Sequence, residues 1–138
     1  MEANKTRIRM GRIIYFVLAI LFTLCVVTQF YFAGLAVFLD AAAWMKHMMF
    51  VHLFGFNVPL IMLIFAVIGA LPRNAYWQLF VVLVCIFLLY FTANMNAPLP
   101  WVGPLHVIIA ILLFVLSCSM VVSTWNVIRN QSERKDAK

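Results

Sequence analysis

Charged residues are scarce in this chain and unevenly placed. They make up 10% of its 138 residues, and none lies in residues 13–38, 47–71 or 74–128. A soluble domain of this size exposes roughly half of its residues to water, so a chain that is 67% hydrophobic has too much apolar surface to bury. Because of this scarcity, the apolar runs lack the ionisable side chains with which small transporters usually couple ion movement to transport. We therefore predict a membrane protein that lacks a charged coupling site.

Sequence motifs of common enzymes are also missing. The chain has no Gly-rich phosphate loop, no HExxH motif and no recognisable Ser/His/Asp set. Its three cysteines, Cys25, Cys85 and Cys118, fall near the middle of apolar runs without CxxC spacing, which is typical of buried neutral thiols. The loops are too short to form a separate catalytic domain, so the sequence leaves enzymatic activity undecided.

The long apolar runs set the fold class. A helix needs about 20 apolar residues to cross the hydrocarbon core. Three prolines and a glycine between Ala97 and Pro104 divide the last run into two helices. We predict an all-α chain, a single domain over residues 1–138, with four spans in an up-down bundle. The predicted spans are 13–38, 47–71, 75–95 and 104–128.

Positive charges predict the orientation. Nine of the ten Lys and Arg flank the predicted spans on one side, and Lys46 alone lies on the other. The positive-inside rule therefore places both termini in the cytoplasm of a multi-pass protein of the inner (plasma) membrane. The small residues Ala41–Ala43 fit a signal-peptide cleavage site, but the apolar run before them is too long for one, which indicates a retained anchor. The formal charge of +6 fits this topology and anionic lipid contact, and not nucleic-acid binding.

One uncharged polar residue in each span falls near the outer side of the bilayer. At 1.5 Å per residue, Gln29, His52, Asn94 and His106 lie about 25 to 34 Å above the cytoplasmic ends of their helices. Histidine is costly within a span, so its presence there is a functional hypothesis. We expect any chemistry in the outward half.

The leading hypothesis is a b-type haem held between His52 and His106. Neutral imidazole is a standard axial ligand of haem iron. Gly55 and Ala110 lie one turn from these histidines and would leave clearance for the macrocycle. Gln29 would fix the tautomer of one ligand. The expected function is electron transfer, with a quinone or a redox protein of the membrane as partner.

Other interpretations stay open at this point. The same polar residues fit a cofactor-free structural or regulatory bundle held by interhelical hydrogen bonds, and ligand or proton handling is a third option. His47 follows Lys46 at the interface and is the weaker candidate for the iron. A soft Cu(I) site near His47 is a further possibility because three methionines surround it. They are Met45, Met48 and Met49.

Three short motifs resemble a known family. They are Gln29-Phe-Tyr-Phe-Ala-Gly34-Leu-Ala-Val-Phe38, His52-Leu-Phe-Gly55 and Leu105-His106. They resemble the small bacterial four-helix membrane proteins classed as domain of unknown function 6220, over about residues 13–128. The resemblance implies roles for the matched positions, Gly34 among them, but it implies no activity. Val107 stands where the family usually has proline, and Pro104 would supply similar stiffness.

Overall fold

The computed structural model describes residues 2–95 and 97–136, and every regular element in them is helical. The chain forms five α-helices and one 3₁₀ turn, with no strand in the described ranges. The elements are α1 (Glu2–Phe38), α2 (Ala43–Phe54), α3 (Asn57–Ile68), α4 (Arg73–Met95), the 3₁₀ turn (Pro100–Val102) and α5 (Gly103–Asp136).

Four of these helical stretches are long and apolar enough to cross a membrane, as predicted. They are Ala3–Phe38, Ala43–Ile68, Arg73–Met95 and Pro100–Asn130. Helix α1 begins well before residue 13, since its first turns contain no proline and several good helix formers. The second span begins at Ala43 instead of 47, at the end of an alanine run that favours helix.

The second span is bent between α2 and α3. Gly55 and Phe56 keep helical backbone angles. Pro59, however, has no N–H to bond the carbonyl of Gly55, and its ring crowds that carbonyl. The regular ladder resumes at Leu60, whose N–H donates to the carbonyl of Phe56 at 3.1 Å. Thus α2 and α3 form one span with a bend near His52.

The helices form a closed ring of neighbours. Helix α1 packs against α2, α3 and α5, and α4 packs against α3 and α5. Within the described residues, no Cα atoms within 8 Å join α1 to α4, or either half of the second span to α5. These pairs are therefore diagonals of the ring. Large buried side chains fill its centre, namely Tyr15, Phe22, Met62, Leu79 and Met120.

Two glycines that were not predicted to have a role make a very close helix contact. A Cβ at Gly11 would lie 2.6 Å from the backbone nitrogen of Gly69, so α1 and α3 meet almost backbone to backbone. Arg12 Nε donates to the carbonyl of Gly69 at 2.8 Å and its Nη2 to that of Ala70 at 3.2 Å. This guanidinium satisfies carbonyls left free where α3 ends. Gly34, by contrast, has nothing within 4 Å of an added Cβ.

Candidate functional site

Gln29 and His47 tie α1 to α2 at one end of the bundle. Gln29 Nε2 donates to the carbonyl of His47 at 3.0 Å, and His47 Nδ1 lies 3.2 Å from the carbonyl of Gln29. A carbonyl oxygen only accepts, so Nδ1 carries the proton in this bond. The ring of Trp44 stands edge-on to His47, with centroids 5.6 Å apart. His47 is thus held in one orientation by the neighbouring helix.

His106 is fixed in a similar way by α4. Its Nδ1 lies 3.1 Å from the carbonyl of Leu89 and 3.0 Å from Thr92 Oγ1. The single hydroxyl hydrogen of Thr92 is shared between the carbonyls of Leu88 and Leu89, which leaves the hydroxyl oxygen to accept from His106. Pro104 pre-sets the first turn of α5 and places His106 on rigid backbone.

Both imidazoles keep their second nitrogen available. In each ring Nδ1–H is used by a backbone carbonyl, so in the neutral form Nε2 bears the lone pair. No described residue bonds Nε2 of His47 or His106. The rings come from diagonal helices, and both lie at the same end of the bundle, near the starts of α2 and α5. Each is half-buried. The structure therefore places two half-buried imidazoles with available Nε2 atoms at one end of the bundle.

Gln29 adds an unpartnered oxygen to this end of the bundle. Its side chain is only 9% exposed, and Oε1 has no hydrogen-bond partner among the residues that the structure describes. A buried amide oxygen without a donor is costly, and such an atom in a native fold calls for an explanation. We define the outer polar cluster as Gln29, His47, Thr92 and His106; its members come from all four spans.

His52 lies elsewhere. It is exposed, and its Nδ1 pairs with Tyr90 Oη at 3.2 Å. At 100° per residue, Tyr90 and Thr92 point about 160° apart around α4. His52 and His106 thus bond opposite sides of that helix, and the structure does not bring them face to face. The expected pairing of His52 with His106 finds no support in this geometry.

The small residues named among the site candidates have different surroundings. Gly34 borders open space, whereas a Cβ at Gly55 would lie 2.7 Å from the carbonyl oxygen of Val51 and 3.5 Å from Tyr90 Oη. Ala110 is half-buried on α5. Asn94 is exposed and donates to the carbonyl of Tyr90 on its own helix, so it does not join the cluster. Thr92 bonds His106 and Tyr90 bonds His52, and neither contact was predicted. Both are polar residues within an apolar span, so the sequence could have indicated them as candidates.

Larger ligand sets are not found in the described part of the chain. No group of three or more His, Cys, Asp or Glu there could hold a metal ion. The three cysteines are free thiols. The three methionines near His47, which are Met45, Met48 and Met49, are exposed. Any metal site here would therefore use two imidazoles with weaker or external additional ligands.

Comparison with known proteins agrees with the resemblance. The model of a family of unknown function (DUF6220) matches residues 29–96, just under half of the chain. The matched segment includes Gln29, His47, His52 and Thr92 and ends before His106. No curated protein and no solved structure matches the chain. The match supplies no activity, so function has to be argued from the cluster itself.

Proposed function

We propose that the chain is an up-down bundle of the plasma (inner) membrane with both termini cytoplasmic and the outer polar cluster facing outward. The charge distribution supports this orientation, because Arg12 and Arg73 lie at the opposite end of the spans from His47. Lys46 is the single cation beside the cluster. The cluster would then be reached from the outer leaflet.

The function we propose is binding of a metal centre by His47 and His106, with the iron of a b-type haem as the leading candidate. One observation carries this proposal: each imidazole donates Nδ1–H to a backbone carbonyl of a neighbouring helix. This is the outer-shell bond that metal-ligating histidines usually make, and it leaves Nε2 for the metal. Haem iron held by two imidazoles supplies one-electron redox chemistry.

The bundle geometry is compatible with such a centre. Adjacent helices in bundles lie 8–10 Å apart, so diagonal helices are about 11 to 14 Å apart. Two imidazoles that bind one iron at about 2 Å each need Cα atoms roughly 12 Å apart. Helices α2 and α5 are such a diagonal pair, and no Cα atoms within 8 Å join them in the described residues. Gln29, whose Nε2 donates to the carbonyl of His47, keeps Oε1 as a further acceptor.

A bare ion is the second candidate. Two imidazoles and an amide oxygen suit a transition metal such as copper or zinc, and the exposed methionines near His47 suit the capture of Cu(I). The shared chemistry is coordination through two Nε2 atoms. Without a metal, the same contacts would form the interhelical hydrogen-bond network of a structural bundle.

Optical and metal analysis of the purified protein separates these cases. A haem protein shows a Soret band that sharpens and shifts on reduction, together with about one iron per chain. A bare-ion site gives stoichiometric copper or zinc without a Soret band. If neither haem nor metal binds after titration, the proposal fails and the cofactor-free bundle stands.

A further inference from the structure

A second polar group faces outward from the bundle, away from the outer polar cluster. His52 is exposed and shares a hydrogen bond with Tyr90, and the ring of Phe56 stacks on Tyr90 with an interplanar angle of 11° and centroids 5.6 Å apart. Phe56 is 39% exposed. No described residue bonds Nε2 of His52. We call His52, Phe56 and Tyr90 the lateral group.

The backbones of the helices that carry His52 and Tyr90 stand apart. Helix α3 packs against α4, but no Cα atoms within 8 Å join α2 to α4 in the described residues, and α2 packs against α1 instead. The His52–Tyr90 hydrogen bond therefore joins α2 and α4 through side chains alone.

The depth of the lateral group in the span makes it unfavourable for its polar atoms to have no partner. His52 lies nine residues into a span that begins at Ala43, which is about 14 Å from that end of the helix. Polar side chains at such depth usually face the bundle interior or a partner. An exposed imidazole nitrogen beside two aromatic rings offers a hydrogen bond and a flat apolar surface to a molecule dissolved in the bilayer.

We propose that the lateral group binds the head of a lipid-soluble quinone. A quinone ring is flat and apolar at its faces, and its carbonyl oxygen accepts a hydrogen bond from imidazole N–H or phenol O–H. Phe56 and Tyr90 would contact the ring face, and His52 would bond the carbonyl. Only binding is proposed, and it does not depend on a metal at His47 and His106.

A photoreactive naphthoquinone tests the proposal in vesicles that contain the full chain. Labelling should saturate, fall on competition with unlabelled naphthoquinone, and map to peptides that contain residues 52–56 or 90. His52→Leu should weaken binding by about tenfold, because it removes the hydrogen bond to the quinone carbonyl. Tyr90→Phe should weaken binding by a similar factor, because it removes the hydroxyl that bonds Nδ1 of His52 and so keeps the donated proton on Nε2. Tyr31→Phe is the matched control, because Tyr31 is an exposed tyrosine on another helix.

The same measurement on the His47→Ala/His106→Ala variant separates this proposal from the proposed metal centre. Naphthoquinone labelling should survive there even if all metal is lost. Labelling that never saturates, or that spreads over the apolar surface, would overturn the lateral site. So would a Tyr90→Phe variant that keeps its thermal stability and binds as tightly as the parent.

Discussion

At the scale of single residues, the outer polar cluster is built from side chains that bond backbone on another helix. His106 bonds the Leu89 carbonyl and Thr92, and Gln29 bonds the His47 carbonyl. Such bonds between membrane helices contribute about 0.6 to 2 kcal/mol each. They also hold each imidazole in one tautomer, so the same contacts stabilise the bundle and prepare two ligands.

Thr92→Val tests this double role. The change keeps the shape of a 3% exposed side chain and removes the oxygen that accepts from His106. We expect unfolding in detergent to become easier by about 1 kcal/mol and metal affinity to fall. Thr28→Val is the control, because the exposed Thr28 hydroxyl bonds only its own helix at Leu24. If the two variants were equally stable, the Thr92–His106 hydrogen bond would not stabilise the bundle.

The sequence alone could not decide whether His47 or His52 faces the interior of the bundle. Gln29 and His106 could be identified as functional candidates, because polar residues in spans are costly. The five-residue offset between the two histidines also shows that they face different directions, about 140° apart. Which one faces the bundle depends on the rotation of α2 and the bend near Gly55, and both are set by packing.

At the scale of elements, the α1–α3 crossing holds together the end of the bundle opposite the outer polar cluster. Gly11 and Gly69 allow the two backbones to meet, and Arg12 binds the carbonyls at the end of α3. Small residues at such crossings are the usual way for membrane helices to pack closely. The sequence did not indicate Gly11 and Gly69, because the pairing of helix faces cannot be read from one helix alone.

Gly11→Ala should therefore weaken the bundle, although alanine favours helix. The new Cβ would lie 2.6 to 2.9 Å from the backbone of Ile68 and Gly69, so the helices must separate. We expect a loss of about 1 to 3 kcal/mol in the free energy of unfolding. Gly34→Ala meets nothing within 4 Å and should be neutral or stabilising. Thermal unfolding of both variants in one detergent checks this prediction. If Gly34→Ala were destabilised and Gly11→Ala were not, Gly11 would not lie at a close helix crossing.

At the scale of the whole molecule, the spans and their order followed from composition, while their lateral arrangement did not. Apolar runs and the proline cluster indicate four spans, although α1 and the second span begin earlier than predicted. The bundle ring, its diagonals and the separation of the α2 and α4 backbones depend on contacts between distant residues. Orientation rests on the uneven distribution of charge, and it determines which side of the membrane has access to the cluster.

Impermeant maleimide labelling tests that orientation. In a cysteine-free background, new cysteines at Ala42 and Ala97 should react in intact cells, and one at Ala3 should react only after lysis. All three positions are exposed, unlike the buried Ala43. If the cysteine at position 3 were labelled from outside and the one at position 42 were protected, the protein would have the opposite orientation.

Haem titration of single-alanine variants shows whether His47 and His106 form the ligand pair. His47→Ala and His106→Ala should each lose most of the Soret intensity and its shift on reduction. His52→Ala should titrate like the parent, since His52 bonds Tyr90 on another side of α4. Nonspecific adsorption of haem would not depend on particular histidines. Loss of binding in His52→Ala with retention in His47→Ala would exclude His47 as a ligand.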